Sequence, residues 1–188
     1  MNDKERAALR QQLLKKLRDS FVYSSEPIFT LSSGRESHFY IDCKKVTLDA
    51  EGATWVGHLI LDRVADLEID AIGGMTIGAD PIATAVSVLS YESGAPISAF
   101  IIRKDPKIYG KQRFIEGTLN RETKVVVVDD VLTGGRTTER TIEVLREVGC
   151  DVVKVIALVD RKEGGRERLE KMGLEVESLF TVEDLLKG

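Results

Sequence analysis

The sequence predicts an α/β protein with a mainly parallel central sheet and helices on both faces. Two runs of β-branched and aliphatic residues, 125–128 and 152–159, are typical of strands buried on both faces of such a sheet. Segments with helical spacing of apolar residues alternate with strand-like segments, and neither repeats nor linkers interrupt them. The 188 residues are therefore predicted to form a single domain, 1–188, large enough to bury a core.

The first half of the chain alternates short elements. An opening amphipathic helix is predicted from Leu9, Leu13, Leu14, Leu17 and Phe21. Alternating residues about a Ser-Gly turn predict a small hairpin within 29–42. The following pattern predicts a helix carrying Trp55 to Val64, a strand at 69–72, a helix at 82–89 and a strand at 97–102.

The second half continues the alternation. A helix is predicted over 138–148 with Gly149 as its stop, followed by the buried strand 152–159. Leu169 is assigned to a short helix, and 176–180 to a final strand. The residues from Thr181 to Asp184 predict a capping box for a last helix.

Composition and charge narrow the functional classes. A hydrophobic content of 43% and a charged content of 31% are typical of a soluble globular protein. The net charge of −4 argues against general nucleic-acid affinity, and two distant cysteines argue against a zinc site or disulfide framework. Because no apolar run reaches membrane-spanning length and the N-terminus lacks a signal-peptide core, we expect a cytoplasmic protein with no nucleic-acid or membrane partner.

The most informative segment follows the first buried run. Asp129 and Asp130 end the predicted strand, Thr133-Gly134-Gly135 forms a loop, and a threonine-rich helix begins after it. Ligands of open α/β sheets bind at the carboxyl ends of strands, and backbone N–H groups of such a loop and helix start bind phosphate. Adjacent acids suit a ligand that also presents hydroxyls or a bound cation, such as a phosphorylated sugar. The segment lacks the lysine of a Walker A loop and the glycine spacing of a dinucleotide fingerprint.

Three other segments carry polar groups near predicted strand ends. The turn 73–81 is consistent either with a second phosphate site or with a simple capped turn. Residues 103–113 contain five cations, typical of a solvated loop, but their position after a strand suits a lid that closes on pyrophosphate. Arg161 follows the run 152–159, where its guanidinium could bind a carboxylate or carbonyl or make a surface ion pair.

The segment Val125 to Thr138 resembles the 5-phosphoribosyl-1-pyrophosphate (PRPP) motif of type I phosphoribosyltransferases. Segments 29–42, 103–110 and 159–161 further resemble the orotate phosphoribosyltransferases. The resemblance implies the type I fold, with a small N-terminal hood at about 20–45 and a mobile basic loop at about 103–117. It also implies transfer of the phosphoribosyl group from PRPP to orotate with Mg²⁺, by a homodimer whose basic loop reaches the neighbouring site.

The resemblance also assigns residues. It implies catalytic roles for Lys107, Asp129 and Asp130 and orotate contacts by Thr133, Arg161 and Tyr40. It implies PRPP contacts by Arg103, Lys104, Lys107, Tyr109, Asp129, Asp130, Val131, Leu132, Thr133, Gly134, Gly135, Arg136 and Thr137. It implies no direct metal ligand, because Mg²⁺ is held mainly through PRPP.

The chain departs from the family pattern at three places. Members commonly have Lys-Asp-His-Gly where Lys107-Ile108-Tyr109-Gly110 stands, and Tyr109 cannot carry the positive charge of a histidine. Some members have lysines at the position of Ser32 and near Gly78.

The sequence leaves two alternative functions open: transfer to another base such as a purine, or a non-catalytic PRPP or nucleotide sensor of the same fold.

Overall fold

A computed structural model of the chain describes residues 1–27, 29–30, 36–105 and 114–187. The helices are α1 (Asp3–Asp19), α2 (Lys44–Thr47), α3 (Ala50–Val64), α4 (Ala79–Glu92), α5 (Arg136–Val148), α6 (Gly165–Glu170) and α7 (Val182–Leu186). The strands are β1 (Phe21–Tyr23), β2 (Phe29–Thr30), β3 (Glu36–Ser37), β4 (Phe39–Ile41), β5 (Ala71–Met75), β6 (Ser98–Ile102), β7 (Ile115–Glu116), β8 (Lys124–Leu132), β9 (Asp151–Asp160) and β10 (Glu175–Thr181).

A six-stranded sheet with the order β10-β9-β8-β5-β6-β7 forms the centre of the fold. Every neighbouring pair is parallel except β6 and β7, which are antiparallel. Val126 and Val128 of β8 pack towards α1, α3, α4 and α7, whereas Val125 and Val127 pack towards α5 and α6. Both faces are thus covered, which explains the uninterrupted valine run and confirms the predicted fold class.

Element boundaries differ from the predictions at several ends. Helix α1 ends at Asp19, so Phe21 lies in β1 and not in the helix as predicted. Strand β5 begins at Ala71, two residues later than predicted. Strand β8 continues through the two acids to Leu132, because its pairing with β9 extends to Leu132 opposite Asp160. The capping box at Thr181 and Asp184 is present, as predicted.

The predicted hood contains two small antiparallel sheets. Strand β1 pairs with β4, and β2 pairs with β3 as the predicted hairpin; its turn, 31–35, lies outside the described residues. The rings of Phe21 and Phe39 pack with centroids 5.6 Å apart. Within the described ranges, no helix is long and apolar enough to cross a membrane.

Candidate active site

The carboxyl ends of β5, β8 and β9 meet at one edge of the sheet because these neighbouring strands are parallel. The backbone N–H of Arg161, just after β9, donates to the carbonyl of Leu132 at the end of β8 (2.9 Å). A Cβ added to Gly78, after β5, would lie 2.3 Å from Oδ1 of Asp130. The structure therefore brings together the two Gly-rich turns, the acidic pair and Arg161.

Asp129 is a partly buried carboxylate held from the side by α5. The hydroxyl of Thr138 donates to its Oδ2 at 2.7 Å, and Thr138 is itself buried. Burial raises the pKa of Asp129 to about 7; the Thr138 hydrogen bond opposes the rise and the charge of Asp130 adds to it. Thr138 thus supports Asp129, whereas the preceding Thr137 is exposed.

Asp130 lies in a different environment from its neighbour. Its side chain is 15% exposed, and its Oδ2 is 3.8 Å from Nζ of Lys44. Burial raises the pKa of Asp130, and the nearby charge of Lys44 opposes that rise. Two adjacent carboxylates with raised pKa values at a strand end are typical of a functional site.

The turn after β8 has the geometry of an anion site. Gly135 has a φ of 75°, which favours glycine, and it is the N-cap of α5. As glycine offers no side chain to accept from the first-turn N–H groups, these remain suited to a phosphate. The Leu132 side chain is 1% exposed within the core, so any PRPP contact there must come from its backbone.

Helix α6 packs against this turn. A Cβ on Gly165 would lie 2.4 Å from the carbonyl oxygen of Thr133, so only glycine permits the observed packing. Arg168 donates through Nε to the carbonyl of Gly134 at 2.8 Å and through NH1 to Glu139 at 2.9 Å. Sequence reasoning missed Arg168, because its partners lie 34 and 29 residues away.

Arg161 connects the sheet edge to the hood. It is 5% exposed, and its guanidinium carbon lies 4.2 Å from the centroid of the Phe39 ring. Its NH2 donates to Oγ of Ser37 at 2.9 Å, and its Nε donates to Glu163 at 2.8 Å. The ion pair is therefore buried on the arginine side, unlike the surface ion pair left open as an alternative.

Tyr40, predicted beside Arg161 as a base contact, has a different aromatic neighbour. Its ring stacks on that of Phe29 with centroids 5.9 Å apart, and it is 45% exposed. Phe39, the preceding residue in β4, supplies the ring over Arg161. The alternation of side chains along a strand explains why neighbouring aromatic residues have different partners.

The predicted basic loop is described only at its base. Arg103 follows β6 and pairs with Glu116 of β7 at 3.1 Å, and Lys104 is exposed beside it. Lys107 and Tyr109 lie outside the described residues. The ladder between β6 and β7 holds the two ends of the segment together, a feature the sequence pattern did not indicate.

The second Gly-rich turn follows β5. Thr76 donates its hydroxyl to Oδ2 of Asp80 at 2.7 Å, and the Thr76–Ile77 peptide bond is cis. Pro81 occupies the third position of α4. Among the described residues, no group of three or more His, Cys, Asp or Glu side chains is placed to hold a metal ion.

Residues 90–183 match the phosphoribosyl transferase domain family, which agrees with a parallel sheet that carries acids and a glycine-rich turn at one strand end. Orotate phosphoribosyltransferase of Aquifex aeolicus is 44% identical, with 89% of this chain and 91% of that protein covered. That of Synechocystis is 43% identical, with 98% and 96% covered. The chain belongs to the orotate phosphoribosyltransferase family.

A solved structure supports the same assignment. Mycobacterium tuberculosis orotate phosphoribosyltransferase in complex with PRPP has a TM-score of 0.78 and 34% identity to this chain. The match covers 94% of this chain and 98% of that one.

Proposed function

We propose that this chain transfers the 5-phosphoribosyl group from PRPP to orotate, giving orotidine 5′-monophosphate and pyrophosphate for pyrimidine synthesis. One observation carries the choice of base. The guanidinium of Arg161 is buried beneath the Phe39 ring of the hood. Arg161 follows β9, the strand next to β8, and the turn that follows β8 at 133–135 is here called the phosphate turn. A planar guanidinium is suited to the carboxylate that distinguishes orotate from purines and from uracil.

The sugar phosphate occupies the edge formed by β8 and α5. Backbone N–H groups of 133–137 bind the 5-phosphate, with Arg136 and Thr137 exposed beside them. Asp129 and Asp130 accept hydrogen bonds from the ribose hydroxyls, which explains why acids lie next to an anion site. Leu132 and Val131 contribute through the backbone.

The base lies between this edge and the hood. The orotate carboxylate competes with Glu163 for the guanidinium of Arg161, and Thr133 contacts the ring from the phosphate turn. Tyr40 and Phe29 form an aromatic stack at the outer side of the hood, and Phe39 covers Arg161. The site thus needs both the core and the hood to be complete.

The reaction is a substitution at the anomeric carbon of the ribose. A ring nitrogen of orotate gives up its N–H proton to water or to the departing pyrophosphate and forms the new C–N bond, while the C–O bond to pyrophosphate breaks and its electron pair leaves with pyrophosphate. Positive charge that develops on the ribose ring is stabilised by the carboxylates of Asp129 and Asp130. Positioning and charge neutralisation provide the catalysis without a covalent intermediate.

Basic side chains act on the leaving group. Arg103, Lys104, Lys107 and Tyr109 contact the pyrophosphate, and Lys107 stabilises the charge that grows on its oxygens. Mg²⁺ would be held mainly through the oxygens of PRPP, and when bound it would lower the negative charge of the leaving group. Chelation of Mg²⁺ is expected to abolish turnover.

The assembly is a homodimer in the cytoplasm, with the basic loop contributed across the interface. Two apolar side chains on one face of α4 are exposed, Val88 (54% exposed) and Tyr91 (77% exposed). Exposed apolar surface of this kind is typical of protein–protein interfaces and supports the proposed dimer. Sedimentation of the purified protein tests the dimer. A mixed-dimer assay that combines Lys107→Ala and Asp129→Asn protomers tests whether the loop crosses, because active sites are then restored only by exchange.

A spectroscopic assay tests the proposed reaction. Loss of orotate absorbance with PRPP and Mg²⁺ is expected, with no reaction of adenine, hypoxanthine or uracil under the same conditions. Turnover of a purine but not orotate would replace the proposed base, and PRPP binding without turnover of any base would favour a sensor.

Lys107→Ala is expected to cost on the order of 3 kcal/mol in the barrier, by analogy with a lost oxyanion-hole donor, with PRPP affinity changed less.

A further inference from the structure

The short helix α2 presents a lysine to the acidic pair. Nζ of Lys44 lies 2.9 Å from Oδ1 of Asp42 and 3.8 Å from Oδ2 of Asp130. Asp42 follows β4 of the hood, whereas Asp130 belongs to β8 of the central sheet. The ammonium of Lys44 therefore forms an ionic link between the hood and the strand that carries the acids.

The position of Lys44 is fixed by its neighbours. Cys43, Val46 and Thr47 are all at most 2% exposed, so α2 is anchored in the core. The backbone N–H of Lys44 donates to Oδ1 of Asp42 at 3.2 Å, the same oxygen that pairs with its ammonium. The backbone of Lys44 is thus held in a fixed position, from which the ammonium group reaches Asp130.

The carboxylate of Asp130 is confined on its other side by Gly78. A Cβ at that position would lie 2.3 Å from Oδ1 of Asp130, so the carboxylate fills the space that a side chain at 78 would need. Since position 78 carries no charge here, Lys44 provides a positive charge next to Asp130 from a different element.

We infer that Lys44 is a positioning residue of the transferase site: its ammonium keeps Asp130 ionised and directed towards the ribose hydroxyls of PRPP. This inference rests on the proposed function for the identity of the ligand. Its structural part, the control of the Asp130 charge by Lys44, holds independently of turnover.

The charges around Asp130 explain why one lysine matters. Asp42, Asp129 and the thiol of Cys43 face this region together with Lys44 and the N-terminus of α4 at Gly78. Burial raises the pKa of Asp130, and Asp42 also raises it, whereas Lys44 lowers it. Although partial burial opposes it, pairing with Asp42 and Asp130 raises the pKa of Lys44, which keeps the lysine charged. Loss of Lys44 leaves burial and the neighbouring acids without this opposing charge.

Carbon-13 NMR of labelled aspartates tests the inference directly. The Asp130 carboxyl signal, assigned with Asp130→Asn, is followed against pH in the parent protein, Lys44→Met and Lys45→Met. We expect Lys44→Met to move the Asp130 midpoint upward by about one pH unit, the lower end of the effect of a nearby opposite charge. Lys45 is the matched control, because it is the exposed neighbour on the same helix. Equal shifts in the two variants would overturn the inference.

Kinetics provide the second readout. The ratio of kcat/KM between parent and Lys44→Met is expected to rise as pH falls, approaching about tenfold below both midpoints, and Lys44→Arg is expected to restore most of the activity. A ratio independent of pH would indicate a merely structural role and would also overturn the inference. Lys44→Gln is carried in parallel, and thermal melting verifies that each variant is folded. If the parent protein does not convert orotate, the proposed function fails, yet the NMR titration still decides the role of Lys44.

Discussion

The phosphate turn and the hood differ in how firmly each is attached to the core. The turn follows a nine-residue strand paired on both sides, and Gly165 and Arg168 pack against it. The hood contains strands of two or three residues in two separate two-stranded sheets. Its polar contacts with the sheet edge include the Arg161–Ser37 and Lys44–Asp130 pairs.

Under the proposed function, we expect this difference to separate recognition of the sugar phosphate from recognition of the base. A site built on core strands is already formed before the ligand arrives, so backbone groups at the turn can bind a phosphate without rearrangement. A site completed by a few side chains from the hood depends on each of those contacts. Mutations at the Arg161–Ser37 contact are therefore expected to affect recognition of the base more than recognition of the sugar phosphate.

The largest difference between the two regions is expected from Arg161→Met. Removing a buried guanidinium leaves the carboxylate of orotate without its partner, so kcat/KM for orotate is expected to fall about a thousandfold, about 4 kcal/mol. PRPP affinity measured by calorimetry is expected to change only a few fold, because the phosphate turn remains intact. Arg140→Met, on the exposed side of α5, is the control. An equal loss of PRPP binding and orotate turnover would remove the proposed separation of the two regions.

Asp129→Asn is expected to stabilise the fold at high pH, by a smaller free energy than Arg161→Met costs in kcat/KM for orotate. The folded pKa of about 7 lies above the ordinary value of 3.8, so the parent protein loses stability as pH rises from about 4 to 7. The asparagine variant lacks this cost and is expected to be more stable at pH 8 by on the order of 2 kcal/mol, with the gap closing towards pH 4. Catalysis is expected to be lost.

Urea unfolding at several pH values measures this difference. Asp151→Asn, at the exposed start of β9, serves as the control. Lower stability of Asp129→Asn at pH 8 would show that the carboxylate stabilises the fold there, contrary to its burial.

Gly78→Ala is expected to reduce turnover about tenfold, about 1.4 kcal/mol, because the new Cβ displaces the Asp130 carboxylate. Stability is expected to change little, since Gly78 has a helical φ of −64° and the displaced atoms end a side chain. Steady-state kinetics in the parent and Asp130→Asn backgrounds give a double-mutant cycle. A full additional loss in the Asp130→Asn background would place the effect elsewhere.

The sequence allowed the sheet, the acidic pair and the placement of Arg161 to be predicted, because strand periodicity and strand ends are local signals. Contacts between distant segments were not accessible in this way. Arg161 and Ser37 are 124 residues apart, and no local pattern indicates that Phe39 instead of Tyr40 covers the guanidinium. The burial of Thr138 beside the exposed Thr137 likewise depends on how α5 packs on β8.

Arg168→Met is expected to have the smallest effect, and it tests the phosphate turn, the region that is attached more firmly to the core. Its hydrogen bond to Gly134 supports the phosphate turn from α6, but the close packing of Gly165 on the same turn remains in the variant. Loss of one hydrogen bond of this kind is worth about 1 kcal/mol, so KM for PRPP is expected to rise about fivefold with KM for orotate nearly unchanged. Glu139→Gln is the matched control, because it weakens the Arg168–Glu139 pair while leaving the bond to Gly134. If Glu139→Gln raises KM for PRPP as much as Arg168→Met does, the ion pair and not the carbonyl contact supports the turn. If neither variant changes KM for PRPP, strand pairing and glycine packing alone hold the phosphate turn in place.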